Sequence, residues 1–198
     1  MLVQLSALIA LSHRVSRWAT WIGGGMMLCC AFLVSLDVIS RKFFEFSISG
    51  SDEITSYVFA IGTTWALAFA LLERYHIRID IIYLTLPRRW AAFLDVLSLL
   101  AFLAFAGILS YRATVVFQTS VHFWSTANTP LQTPLAIPQG LWLIGIIGFT
   151  LIIVLLLARA TIALLKGDLQ TINDLAGIRT HSHDIEVERE RISVEGEG

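Results

Sequence analysis

Hydrophobic positions in this chain come in long unbroken blocks. Residues 54–72, ITSYVFAIGTTWALAFALL, carry no formal charge. Comparable apolar blocks cover 18–39, 90–117 and 139–165. A hydrocarbon core of about 30 Å is crossed by about 20 helical residues at 1.5 Å each, so each block predicts one transmembrane helix. Lipid offers the backbone no water to bond, and a helix satisfies its own N–H and C=O groups. The pattern therefore predicts an all-α integral membrane protein with four spans. The third and fourth blocks exceed the minimum length, and tilt or projection beyond the lipid is expected of them.

The polar positions fall between the blocks. SGSDE, residues 49–53, offers Ser51 or Asp52 as an N-cap for the second span, with acids at the positive end of the helix. LPRRW places Pro87 at the start of the third span. TPLQTPLAIPQG carries Pro130, Pro134 and Pro138 at four-residue spacing, which no helix interior tolerates; it predicts an extended, ordered loop that ends in a helix start. At the N-terminus, MLVQLSALIALSHRVSRW has its basic residues after the apolar stretch, opposite to the order of a secretory leader. Leu2, Leu5, Leu8 and Ile9 give it a partial apolar face, so an uncleaved amphipathic segment lying flat at the membrane interface is expected. Residues 1–166 then form one four-helix membrane domain. Residues 167–198 form a tail, with one short amphipathic helix followed by charged, disordered chain.

Composition agrees with this picture. The 198 residues are 56% hydrophobic and 15% charged, whereas a soluble domain carries about 25% charge. A net charge of −1 gives no reason to expect a nucleic-acid partner. Cys29 and Cys30 are adjacent within an apolar block and read as small buried hydrophobes. Orientation follows from the basic residues near the span ends. Arg14, Arg17, Arg74, Arg78, Arg88, Arg89, Arg159 and Lys166 fall on one side, against Arg41, Lys42 and Arg112 on the other. Both termini and the charged stretch ERYHIRID, residues 73–80, are expected in the cytoplasm. The proline loop then faces the periplasm across a bacterial inner membrane.

Chemistry-bearing residues are few. Asp37, Asp95 and Arg112 sit within a turn or two of span ends, where they can snorkel to the interface or reach a local partner. Asp95 can pair with Arg88, Arg89 or a partner chain. Arg41 and Glu53 are candidates for a local charge pair at the periplasmic end. His76 and His122 fall at opposite ends of the spans, too far apart to share one haem. His181 and His183 form a lone pair of possible ligands in the tail, short of a metal site. No nucleotide-binding, nucleophile-elbow or metalloprotease motif is present, so the chain is read as not an enzyme and as holding no cofactor. Gly62, Ala66 and Ala70 recur every four residues and form a small-residue stripe that allows close helix approach. Trp18, Trp21, Trp90, Trp124 and Trp142 lie near span ends as an aromatic belt would place them, whereas Trp65 is mid-span.

Three motifs in order, SRKFFEFSISGSDEITSY, RYHIRIDIIYLTLP and TPLQTPLAIPQGLW, make the chain resemble the small membrane subunit (DctQ type) of the tripartite ATP-independent periplasmic, or TRAP, transporters. The resemblance covers roughly residues 14–165. Its motif positions here are Arg41, Glu53, His76, Asp80, Pro87, Pro134, Pro138 and Gly140. It implies a small permease subunit in a heteromeric complex with a large membrane subunit and a periplasmic substrate-binding protein. Such a complex takes up an organic acid or similar solute by sodium symport. The sodium and substrate sites belong to the large subunit, and the small one braces its scaffold among the membrane lipids. His76 and Asp80 would orient the cytoplasmic turn or contact the large subunit. Two other classes stay open from the residues alone: a redox membrane anchor for haem or quinone, and a stand-alone small oligomeric transporter.

Overall fold

A computed structural model describes residues 2–73 and 87–166 of the chain. Its regular structure there is four helices: α1 (Leu2–Phe44), α2 (Ser51–Leu72), α3 (Arg88–His122) and α4 (Ala136–Leu165). Each is long and apolar enough to cross a membrane, and the chain is a multi-pass helical membrane protein. Residues 74–86, with His76 and Asp80 and the cytoplasmic turn expected there, and the tail from residue 167 lie outside the described residues.

The helices depart from the sequence reading mainly at their ends. The N-terminal segment is not set apart from the first span: residues 2–44 form one helix of 43 residues. No proline occurs before Pro87, so nothing in this stretch blocks the backbone ladder. His13 and Ser16 also face inward instead of lying against a lipid surface. α3 runs past 117 to His122 and ends before Trp124, whose backbone turns left-handed at φ 49°. α4 begins at Ala136, which puts Pro138 in the first turn, where its missing N–H costs no hydrogen bond. The N-cap position of α2 is Gly50, not Ser51 or Asp52. Its φ is 85°, and a Cβ there would run into the Leu131 side chain. Glycine is needed at that position on both counts.

The chain divides into two compact units, Met1–Ile77 with Ser98–Arg159, and Arg78–Leu97 with Ala160–Gly198. In the first, α1 turns Ser16, Gly23, Cys30 and Asp37 inward, one every seven residues. These are small or short side chains, and they bring α1 close to α2. The Cβ position at Gly23 is 3.0 Å from Cα of Gly62. α4 packs on two neighbours. Ala113, Leu143 and Ile146 form a buried cluster flanked by Leu109, Phe117 and Trp142. Phe102 meets Phe149 edge-on at 5.4 Å, and the Ser110 and Thr150 hydroxyls bond at 2.8 Å. Toward α2, the Trp65 indole N–H donates to the Leu141 carbonyl at 3.0 Å. Gly145 sits against Thr64, with only 2.7 Å between its Cβ position and Oγ1. In the second unit Ala92 packs on Ala163 with Leu164 beside them, and Trp90 meets Phe93 edge-on.

Lipid tails are as apolar as leucine, so burial of leucine adds little between spans and close packing carries more of the association. The Gly23–Gly62 contact is then expected to be sensitive to bulk. Gly23→Leu forces α1 away from α2 and should lower stability by about 1–3 kcal/mol, the usual range for overpacking. Gly24→Leu is the control, because nothing lies within 4 Å of a Cβ there. Thermal unfolding of the two variants in detergent checks this, with Gly23→Leu melting several degrees below Gly24→Leu.

Candidate functional site

Two buried carboxylates, Asp37 and Glu53, flank the turn between α1 and α2. Asp37 lies on the inner seam of α1 and is 2% exposed. Arg41, one turn on, pairs with Oδ2. The turn after α1 folds back over the same side chain. The Ile48 amide donates to Oδ1 at 2.6 Å, and the Ser47 and Ser51 hydroxyls approach Oδ1 and Oδ2 at 3.4 Å each. One carboxylate thus supplies acceptors to a turn whose backbone would otherwise lack partners.

Glu53 sits in the first turn of α2, where a negative charge meets the positive end of the helix dipole. It is 8% exposed. The Tyr57 hydroxyl donates to Oε1 at 2.9 Å, and the Thr129 hydroxyl donates to Oε2. Thr133 adds its hydroxyl and its backbone amide. Thr129 and Thr133 belong to the proline loop, which doubles back on itself instead of extending. Thr126 pairs with Pro134 as an antiparallel bridge. Ala127 N–H donates to Thr133 at 3.0 Å, and Leu135 N–H to Ser125 at 2.9 Å. Glu53 therefore pins this loop to the start of α2, and Leu131 seats it on Gly50.

At the far end of α2, Glu73 receives His13 Nε2 at 2.6 Å, and the His13 ring leans on Phe69. α2 is 22 residues long, or about 33 Å, so Glu53 at its start and Glu73 at its end are held apart by about that length.

The expected pairing of Arg41 with Glu53 is not made. Arg41 is taken by Asp37, and Glu53 by hydroxyls and an amide. An aspartate four residues before an arginine on one helix is a nearer partner than any residue across a turn. The stripe of Gly62, Ala66 and Ala70 is only partly inward. Gly62 is buried, while Ala66 and Ala70 are half-buried and the other buried positions of α2 are Ser51, Glu53, Ile61, Thr64 and Ala68. Pro87 is exposed, and its carbonyl accepts the Trp90 and Ala91 amides at the start of α3. Asp95 is buried and partnered in the second unit. Pro134 closes the bridge, Pro138 opens α4, and a Cβ at Gly140 would lie 3.3 Å from the Phe117 ring. Asp37 is the main residue the sequence reading undervalued. Its signals were the seven-residue spacing from Ser16 through Gly23 and Cys30, and the arginine four places on.

These features define a class: a polytopic helical protein whose ionisable groups serve as fasteners at helix ends, with broad apolar faces between them. Residues 30–163 match the family described as DctQ: Tripartite ATP-independent periplasmic transporters, DctQ component. The chain belongs to that family, and is thus a membrane component of a transporter, in a family that is not one of enzymes. No curated protein and no solved structure matches it.

The fastener roles predict distinct phenotypes. Glu53→Ala leaves the Tyr57, Thr129 and Thr133 donors unpaired in a water-poor setting. It should speed hydrogen–deuterium exchange of the Ala127, Gln132 and Leu135 amides by roughly tenfold or more, with little change in mid-α4. Asp37→Leu should lower thermal stability more than Arg41→Leu. Asp37 holds Arg41, the Ile48 amide and two hydroxyls, whereas Arg41 is mostly exposed and gives up one bond.

Proposed function

We propose that this chain is the small permease subunit of a sodium-driven TRAP transporter for uptake of an organic acid or similar solute. It braces the scaffold of a large membrane subunit. The carrying observation is the disposition of its charged side chains. In the first unit Asp37, Glu53 and Glu73 are each saturated by local partners at the ends of helices. A coupling ion or a carboxylate substrate is best served by open, mid-membrane polar groups, so sodium and solute are assigned to the large subunit and no cofactor to this chain. Large exposed side chains such as Trp21, Phe32, Phe105 and Ile144 leave ample surface for a protein or lipid neighbour. The bias of arginine and lysine supports cytoplasmic termini in a bacterial inner membrane. The proline loop then lies on the periplasmic side, where the substrate-binding protein docks.

Coexpressed with the large subunit of its transporter, the chain should be recovered in mild detergent at a one-to-one ratio. Uptake into proteoliposomes should require both subunits, the binding protein and an inward sodium gradient, and should collapse when the gradient is dissipated. A chain that purifies alone and supports uptake alone would sink the scaffold reading.

A further inference from the structure

Arg112 lies on α3 and belongs to none of the fasteners. α3 continues to His122, so Arg112 sits deeper than a helix end, with about 15 Å of helix between the two. The packing agrees. Its neighbour Ala113 is buried against Leu143 and Ile146, and Ile146 is likewise about 15 Å along α4 from Ala136. The two helix ends are tied at one level by the proline loop, where the Leu135 N–H donates to the Ser125 carbonyl at 2.9 Å. Arg112 nevertheless faces outward and is exposed. Its guanidinium carbon stands 6.0 Å from the centre of the Tyr111 ring. No carboxylate among the described residues pairs with it.

A guanidinium cannot shed its proton, and holding it against hydrocarbon without an anion is costly. The surrounding face indicates which anion. Phe105, Ile108, Arg112, Thr119 and His122 fall on one side of α3, at three-, four- and seven-residue steps. Each is exposed. Toward the middle of α3 this face is apolar, with Ile108 and Phe105. Beyond Val115 and Val116, toward the loop, it turns polar, with Thr119, His122 and, on the Tyr111 flank, Gln118. A phospholipid has the same order along its length: acyl chains innermost, then a phosphodiester, then a polar headgroup. A guanidinium snorkels part of the way to the interface over Val115 and Val116, and local thinning of the bilayer brings the headgroup down the rest. The fork of N–H donors then takes two phosphate oxygens at once. A carboxylate from a neighbouring helix would answer the charge but gives no reason for the polar strip above it.

We propose that the outward face of α3 around Arg112 binds one anionic phospholipid of the leaflet on the proline-loop side. Its phosphodiester sits on the Arg112 guanidinium beside Tyr111, and its acyl chains run along Ile108 and Phe105. An anionic lipid fits better than a zwitterionic one, whose headgroup brings its own cation to the phosphate. The proposal needs only that α3 crosses the membrane, and holds whichever subunits accompany the chain.

The test is native mass spectrometry of the full chain, with any subunit that comes with it from the membrane, after delipidation in detergent. Phosphatidylglycerol is titrated in, with phosphatidylcholine and inorganic phosphate as comparisons. The wild type should take up phosphatidylglycerol in preference to phosphatidylcholine. Arg112→Gln should bind the first phosphatidylglycerol roughly tenfold more weakly, as loss of a charge-assisted bond does. Arg112→Lys, which keeps the charge without the fork, should fall between the two. Lys42→Gln removes an exposed charge in the last turn of α1 and should bind as the wild type does. Tyr111 is the one partner of Arg112 among the described residues, so all these proteins should unfold at the same temperature before lipid is added. Equal binding by the wild type and Arg112→Gln overturns the inference. So does an equal loss in Arg112→Gln and Lys42→Gln, which marks unspecific charge attraction. Inorganic phosphate that displaces the lipid makes this a site for free phosphate and overturns the lipid assignment. Unchanged lipid binding with less large subunit recovered by Arg112→Gln overturns it too, and gives the arginine to an acidic side chain of that subunit.

Discussion

A carboxylate withdrawn from water must receive its hydrogen bonds from the protein, and the turn after α1 is built to give them to Asp37. The turn brings an amide and two hydroxyls to the side chain, and α1 supplies Arg41. The direction of α2 follows from this, because the chain re-enters the bundle at Ser51 only after Ile48 and Ser51 have been drawn onto the same group. Glu53 then repeats the arrangement one step further on, drawing Thr129 and Thr133 of the proline loop onto the first turn of α2. Two acids in sequence thus connect three parts of the fold: the end of α1, the start of α2, and the loop between α3 and α4. Removing one partner of such a group leaves the others unsatisfied, which is why buried polar networks are held together as units.

Between these fastened ends the helices associate by shape. Gly23 against Gly62 and Gly145 against Thr64 remove side-chain bulk where backbones approach. Trp65, mid-span, resolves its polar edge on the Leu141 carbonyl. An indole N–H facing hydrocarbon would be left unpaired, so this bond ties α2 to α4 at a place where no charge could be tolerated. The Ser110–Thr150 bond does the same between α3 and α4.

The four spans were legible because their signal is collective: some twenty apolar residues in a row leave one physical solution in lipid. The family was legible from three motifs in order, and the match over residues 30–163 bears that reading out. The pairing of the charges was not. Arg41 and Glu53 are both near one membrane face, and proximity in sequence could not decide between a pair made across the turn and two pairs made locally. The winning arrangement depends on the fold of the proline loop, which brings hydroxyls to Glu53 from 76 residues away. The interfacial segment expected at the N-terminus rested on a partial apolar face of Leu2, Leu5, Leu8 and Ile9, which does not set it apart from the span that follows: residues 2–44 continue as one helix.

That continuity gives α1 two functions on one rod. With the inner seam repeating every seven residues, the remaining positions also repeat every seven, and small residues inward leave the large ones for the outside. Gly23, Cys30 and Asp37 are buried by the rest of the chain, whereas Trp18, Ile22 and Phe32 are exposed. A strict seven-residue repeat winds with a left-handed supercoil, which keeps the small inner positions turned toward one neighbour along the rod. The inner face answers to this chain's own α2, and its small residues are set by how near two backbones must come. The outer face answers to its apolar surroundings, where large side chains such as Trp18 and Phe32 carry no desolvation cost.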